Sequence, residues 1–106
     1  MTQFYDCMLD IETMGSTNDA ALIAIGCAFF DLKTETIGPT FSATINLASA
    51  VADGGVMDAS TVVWWLGQSE DARKGVRFGG RAVRTVLQEF SDWIKETCRH
   101  EDVRPW

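Results

Sequence analysis

FYDCMLDI, residues 4 to 11, runs directly into ETMG, residues 12 to 15. The first part is mostly apolar but carries two aspartates, a pattern that suits a central strand better than a half-exposed one. Residues i and i+2 of a strand project to the same face, so Asp10 and Glu12 share one site at the strand's end. Two like charges at the end of a buried strand are unfavourable unless one takes up a proton or both find a cation. Their hard oxygens suit Mg2+ or Mn2+, and two such ions roughly 4 Å apart can activate a water and stabilise a leaving oxygen in phosphodiester hydrolysis. On spacing alone the plainer reading prevails, with Glu12 a solvated loop residue and Asp10 a cap, because Asp-x-Glu is common.

Working outward, the polar MGSTND after Thr13 reads as a loop. AALIAIGCAFF, residues 20 to 30, is long enough for a helix, but Ile23, Ile25, Cys27 and Phe29 alternate and Gly26 interrupts it, which predicts a second strand. A third strand follows over Thr36 to Asn46, with Pro39 marking a sheet edge or bulge. Short connections between the three predict an antiparallel meander. Ala48 to Gly55 reads as a small-residue loop. Asp58 or Ser60 can cap a helix through Val62 to Leu66, and Ser69 with Glu70 and Asp71 looks like a second cap. Gly75, Gly79 and Gly80 break the chain again. Val83, Val86, Leu87, Phe90, Trp93 and Ile94 then recur at helical spacing, giving a long amphipathic helix that needs a sheet to lie on.

The 106 residues are expected to form a single domain, 1-106, around one small core. No apolar run approaches a membrane span and no leader pattern opens the chain, so a cytoplasmic location is expected and a membrane partner is not. Cys7, Cys27 and Cys98 are odd in number and widely spaced, which argues for buried thiols over a disulfide framework or zinc site. The net charge of −6 is the wrong sign for gripping nucleic acid by bulk electrostatics. Its distribution is uneven: Arg73, Lys74, Arg77, Arg81 and Arg84 lie in an acid-free stretch from Ala72 to Gln88. Such a run is either a solvated helix face or a track for the phosphates of a single strand.

LDIETMG, the ALIAIGCAFFD strand, the D-x-x-T-x-x-WW-x-x-Q helix from Asp58 to Gln68, and the pair Ala72 and Arg73 together resemble the phage and prophage 3'-5' exoribonucleases and exodeoxyribonuclease VIII-like proteins. These belong to the four-carboxylate (DEDD) exonuclease superfamily, and the resemblance covers essentially the whole chain. It implies an α/β, ribonuclease H-like fold, here cut short to a three-stranded antiparallel meander followed by packed helices. It implies a metal-dependent 3'-5' exonuclease acting on single-stranded RNA or DNA ends. Asp10 and Glu12 then match the first motif as catalytic metal ligands for Mg2+ or Mn2+, in a two-metal site. Thr13 and Met14 lie against the terminal nucleotide, Trp65 and Gln68 help shape its site, and Arg73 contacts substrate. Two adjacent tryptophans on a helix cannot both face one core, so core packing competes with that role for Trp65.

The sequence also departs from that family. There the long helix leads into a strand with a third carboxylate, and a histidine general base and a fourth aspartate come later. Trp106 falls about where that third-carboxylate strand begins. Pro105 stands five residues after His100, which is expected at an exposed helix end and not as the base. The ligand set is therefore expected to be incomplete and this chain weak or inactive alone. The alternatives are a non-catalytic nucleotide- or nucleic-acid-binding module, or a structural remnant. The open far edge of the first strand is also expected to favour a homo-oligomer through strand pairing or exchanged elements.

Overall fold

A computed structural model describes residues 3–99 and 102–106. The expected meander is present as β1 (Asp6–Thr13), β2 (Leu22–Asp31) and β3 (Thr36–Thr44). Among the described residues four helices follow, α1 (Leu47–Ala52), α2 (Ala59–Leu66), α3 (Glu70–Arg77) and α4 (Val83–Thr97), and then a two-residue strand, β4 (Arg104–Pro105). The sheet order is β3-β2-β1-β4, with β4 parallel to β1 and the other pairs antiparallel. No helix among the described residues is long and apolar enough to cross a membrane. His100, expected at an exposed helix end, lies outside the described residues.

β2 sits between β1 and β3, so its alternating residues Ile23, Ile25, Cys27 and Phe29 are all buried on one face. α4 covers that face, with Trp93 against Phe29 (ring centroids 5.3 Å) and Phe41 (5.6 Å). One core cluster joins Met14, Ile23, Ile25, Ile45, Val83 and Val86; a second joins Cys7, Cys27, Phe29 and Cys98. The three cysteines are free and buried. Burial pushes the Cys27 thiol up to about 12, with neighbouring Cys7 adding to the shift, so it stays protonated and inert.

β1 is less buried than its apolar sequence predicts: Met8 is 52 % exposed, Leu9 40 % and Ile11 50 %. Met8 lies with Asp10 on the face away from α4, and Leu9 and Ile11 lie past the end of β4, whose register stops at Asp6↔Arg104 and Cys7↔Pro105. Its backbone donors reach Tyr5 O (Arg104 N, 2.7 Å) and Cys7 O (Trp106 N, 2.9 Å). β4 is also the element that the three-stranded reading lacks. Two residues carry no strand periodicity, and what holds them is tertiary: Arg104 forms a two-pronged pair with Asp6 at 2.8 and 3.0 Å, and the Trp106 ring lies 5.8 Å from Phe30.

Pro39 falls, as expected, in the edge strand β3. Two other expectations are corrected. The stretch read as a loop at residues 48–55 contains α1, capped by Asn46, whose Oδ1 accepts from Ser49 N at 2.9 Å. Six small residues are too few to display a helical period, whereas alanine's helix propensity and a good cap suffice locally. Gly75 does not break the chain but lies inside α3, in open space. α4 has no side-chain cap of its own from Ala82; Val83 N donates instead to Ser49 Oγ at 3.0 Å, tying α1 to the start of α4.

Candidate functional site

Asp10 and Glu12 pair with Gly26 and Ala24 of β2, on the sheet face opposite α4. At about 3.3 Å per residue their Cα atoms lie about 6.6 Å apart along the strand. Ala24, Gly26 and Ala28 form a low floor beside them, and both carboxylates are exposed. Among the described residues, no hydrogen bond or ion pair engages either one, and no group of three His, Cys, Asp or Glu comes close enough to hold a metal ion. The pair is available as ligands, but it is a pair.

The chain shifts register between Glu12 and Thr13, a bulge that ends the regular ladder just past the carboxylates. Thr13 then turns inward, its hydroxyl donating to Gly15 O at 2.7 Å. Met14 is 3 % exposed and joins the larger core cluster beside Trp65 and Val62. The indole N–H of Trp65 donates to Thr13 O at 3.2 Å, so α2 grips the end of β1 directly. Trp65 is half-buried while Trp64 is 57 % exposed, their rings edge-on at 5.1 Å, so the two tryptophans divide between core and surface as expected.

Asp58 completes this grip in a way the sequence reading missed. It precedes α2, yet its carboxylate caps no helix N–H. It accepts instead from Ser16 Oγ at 2.8 Å and Thr61 Oγ1 at 3.1 Å, while its own N–H donates to Met14 O at 3.1 Å. The Ser16 hydroxyl holds the Asp58 carboxyl below its ordinary range against an opposing desolvation, with smaller help from Thr61. A depressed carboxylate contributes stability above its unfolded value and loses it as pH falls through the folded one. Asp58→Asn is therefore expected to lower Tm at neutral pH, with the gap from the parent closing in acid below the ordinary carboxylate range. Melting curves across pH check this; a gap independent of pH would show that the charge is immaterial. The only sequence signal was three polar residues, Ser16, Asp58 and Thr61, with nothing to show that they meet.

Gln68 and Arg73 serve the α2–α3 turn. Gln68 Nε2 donates to Trp64 O at 3.1 Å, and Arg73 Nη1 donates to Gln68 O at 2.7 Å and to Leu66 O at 3.4 Å. Beside this turn lies a cavity of about 510 Å3 walled by α2 and α3, with Met14, Trp65 and Arg73 among its lining residues. Three of the residues expected near substrate thus line one cavity. Asp10, Glu12, Thr13 and Gln68 do not line it, although Glu12 is only two residues from Met14. Arg81 and Arg84 point their charge elsewhere, pairing with Glu89 and with Asp53 (2.8 Å).

Residues 5–106 match the Rv2179c-like family, the 3'-5' exoribonuclease Rv2179c-like domain. An exodeoxyribonuclease of Enterobacteria phage T4 is 29 % identical over 111 aligned residues, which take in 96 % of this chain and 47 % of the phage protein. Among solved structures, the nuclease domain of 3'hExo, a DEDDh family member bound to rAMP, superposes with a TM-score of 0.57 at 17 % identity, covering 89 % of this chain and 45 % of that one. A 3'-exonuclease solved in a study of 3'-end recognition of the histone mRNA stem-loop gives 0.56 at 16 % identity, covering 91 % and 41 %. Those likenesses establish the ribonuclease H-like fold. The chain spans about half the length of the phage relative it matches.

Proposed function

The chain belongs to the Rv2179c-like 3'-5' exoribonuclease family, and from that premise we propose that its Asp10 and Glu12 are the first metal ligands of a centre that removes nucleotides from the 3' end of single-stranded nucleic acid. The observation that carries this reading is the unpaired, exposed carboxylate pair on one face at the end of β1. Hard carboxylate oxygens fit Mg2+ or Mn2+, and an ion of this kind supplies, when bound, activation of water and neutralisation of charge on the scissile phosphate. Two side chains supply only part of a six-oxygen shell, so in this reading water and substrate supply further ligands. Asp10 and Glu12 orient the ion. Thr13, Met14 and Trp65 present the terminal nucleotide, the backbone of Thr13 being fixed by the indole of Trp65. Gln68 and Arg73 hold the turn that backs this surface, leaving Arg73's charge near the incoming strand. The open edge of β1 beyond Cys7, with Leu9 and Ile11 exposed, is where a further strand pairs, from the same or another copy. A cytoplasmic location accompanies this reading.

A second reading is favoured by one observation, the absence of a third metal-ligating side chain among the described residues. It makes the chain a metal- and nucleotide-binding module without hydrolysis. The two are separated by Mn2+ melts and a release assay with a 3'-labelled single-stranded oligonucleotide. Mn2+ at a hundred times its Kd is expected to stabilise the fold by about 2.7 kcal/mol, an effect lost in the Asp10→Ala, Glu12→Ala double variant. Mononucleotide release that disappears in the same variant supports the exonuclease. Stabilisation without release supports the binding module. Neither effect at millimolar Mn2+ removes the carboxylate pair from the mechanism.

A further inference from the structure

The α2–α3 cavity extends away from Met14 toward the C-terminal end of α3, where its chemistry changes. Its lining includes the apolar Met14, Val62, Trp65 and Val76 and, at the C-cap of α3, Phe78, which is 68 % exposed. An exposed ring beside a cavity offers a face on which a planar group can stack. The Arg77 guanidinium lies over the ring at 4.9 Å from its centroid. Arg73, Lys74 and Arg77 lie on one flank of α3 and all border the cavity, with Glu70 the one acidic residue among its lining. Glu70 is paired with Lys74 at 3.6 Å, an exposed contact that a phosphate can displace at little cost. The guanidinium of Arg73 is already oriented by the carbonyls of Leu66 and Gln68. An apolar slot with an exposed ring and a cationic rim suits one ligand class, a planar base with phosphates on either side.

We propose that this groove is a second nucleotide subsite, taking a base upstream of the 3' end on Phe78 while Lys74 and Arg77 hold the flanking phosphates. The proposal rests on the reading that Met14 and Trp65 present the terminal nucleotide, because both also line this cavity. Its consequence is length selectivity: oligonucleotides long enough to reach Phe78 bind more tightly than those that fill only the Met14 end. It also divides the acid-free stretch, with Arg73, Lys74 and Arg77 serving the strand and Arg81 and Arg84 serving the fold through Glu89 and Asp53.

The test is fluorescence anisotropy of 5'-fluorescein-labelled single-stranded hexanucleotide and dinucleotide in EDTA, which keeps the metal out of the measurement. Phe78→Ala is expected to weaken hexanucleotide binding about tenfold, the size of one lost base–aromatic stack, and to leave the dinucleotide unchanged. Phe78→Tyr, which keeps the ring, restores parental affinity. Lys74→Ala with Arg77→Ala is expected to reduce the slope of log K against log salt by about 1.4, from about 0.7 per phosphate contact on a single strand. Phe78 is exposed, so a melting curve matching the parent's confirms that the variant is folded. Equal affinity of the parent and Phe78→Ala for the hexanucleotide overturns the proposal, as does no hexanucleotide binding by the parent or an equal loss on both lengths. With EDTA present Asp10 and Glu12 hold no metal, so the anisotropy does not depend on their role as ligands. Failure of the metal site therefore shows in the Mn2+ melts and failure of the groove shows here.

Discussion

Phe29→Ala is expected to destabilise the fold by about 3–5 kcal/mol, the range for removing a large ring from a packed core. Phe29 has no exposed surface, lies in β2, which is flanked by β1 and β3, and bridges the sheet to α4 through Trp93. Around it are Cys7, Cys27 and Cys98, small side chains on rigid strands and a helix end that cannot collapse into the space a ring vacates. A chain of this size has a total stability of roughly 5–15 kcal/mol, so the loss takes about a fifth of it or more. Tm is expected to fall by roughly 15–30 °C. Urea melts check this through a lower midpoint at unchanged slope. A loss below about 1.5 kcal/mol, the scale of a tolerated volume-conserving swap, would mean that the Cys7–Cys27–Cys98 cluster is not the packed core described.

Gly80→Ala is the second large effect and acts on the backbone. A Cβ at this position would stand 2.1 Å from Thr44 O and 2.8 Å from Thr44 C, both main-chain atoms at the end of β3. Gly80 N also donates to Thr44 Oγ1 at 3.2 Å, and the next residue pairs with Asn46 through Arg81 O at 2.9 Å. The connection from α3 to α4 is thus laid against the sheet with no room for a side chain. About 3 kcal/mol is expected to be lost, the upper end of overpacking costs, with raised hydrogen exchange at Asn46 and Arg81. Gly75 provides the opposite sign: nothing lies within 4 Å of its added Cβ inside α3, so Gly75→Ala is expected to stabilise by about 0.5–1 kcal/mol. Similar responses from the two glycines would contradict the backbone contact.

β2 and α4 were legible because each shows its own period, alternation over Ile23 to Phe29 and helical spacing from Val83 to Ile94. Motif and context together were enough for the family, which the match over residues 5–106 bears out. α1 escaped because six residues carry no period, and Gly75 misled because a glycine in an exposed helix costs only about 1 kcal/mol against alanine, less than the rest of α3 supplies. The acid-free stretch could not be divided from sequence, since the partners of Arg81 and Arg84 are Glu89 and Asp53, the latter about thirty residues away along the chain.

The linear sequence carries whatever repeats or recurs locally: three strands, the long helix, the cap at Ser69, and the carboxylates of Asp10 and Glu12 on one face of a strand. Only the folded arrangement settles that β4 pairs with β1 as far as Cys7, that Asp58 fastens the loop behind Met14, that Ser49 caps α4, and that Phe78 lines one cavity with Arg73, Lys74 and Arg77. The reason is common to all four. Each depends on contacts between segments remote in the chain, whose free energy appears only when the sheet and helices have brought them together, and a linear pattern carries no record of that distance.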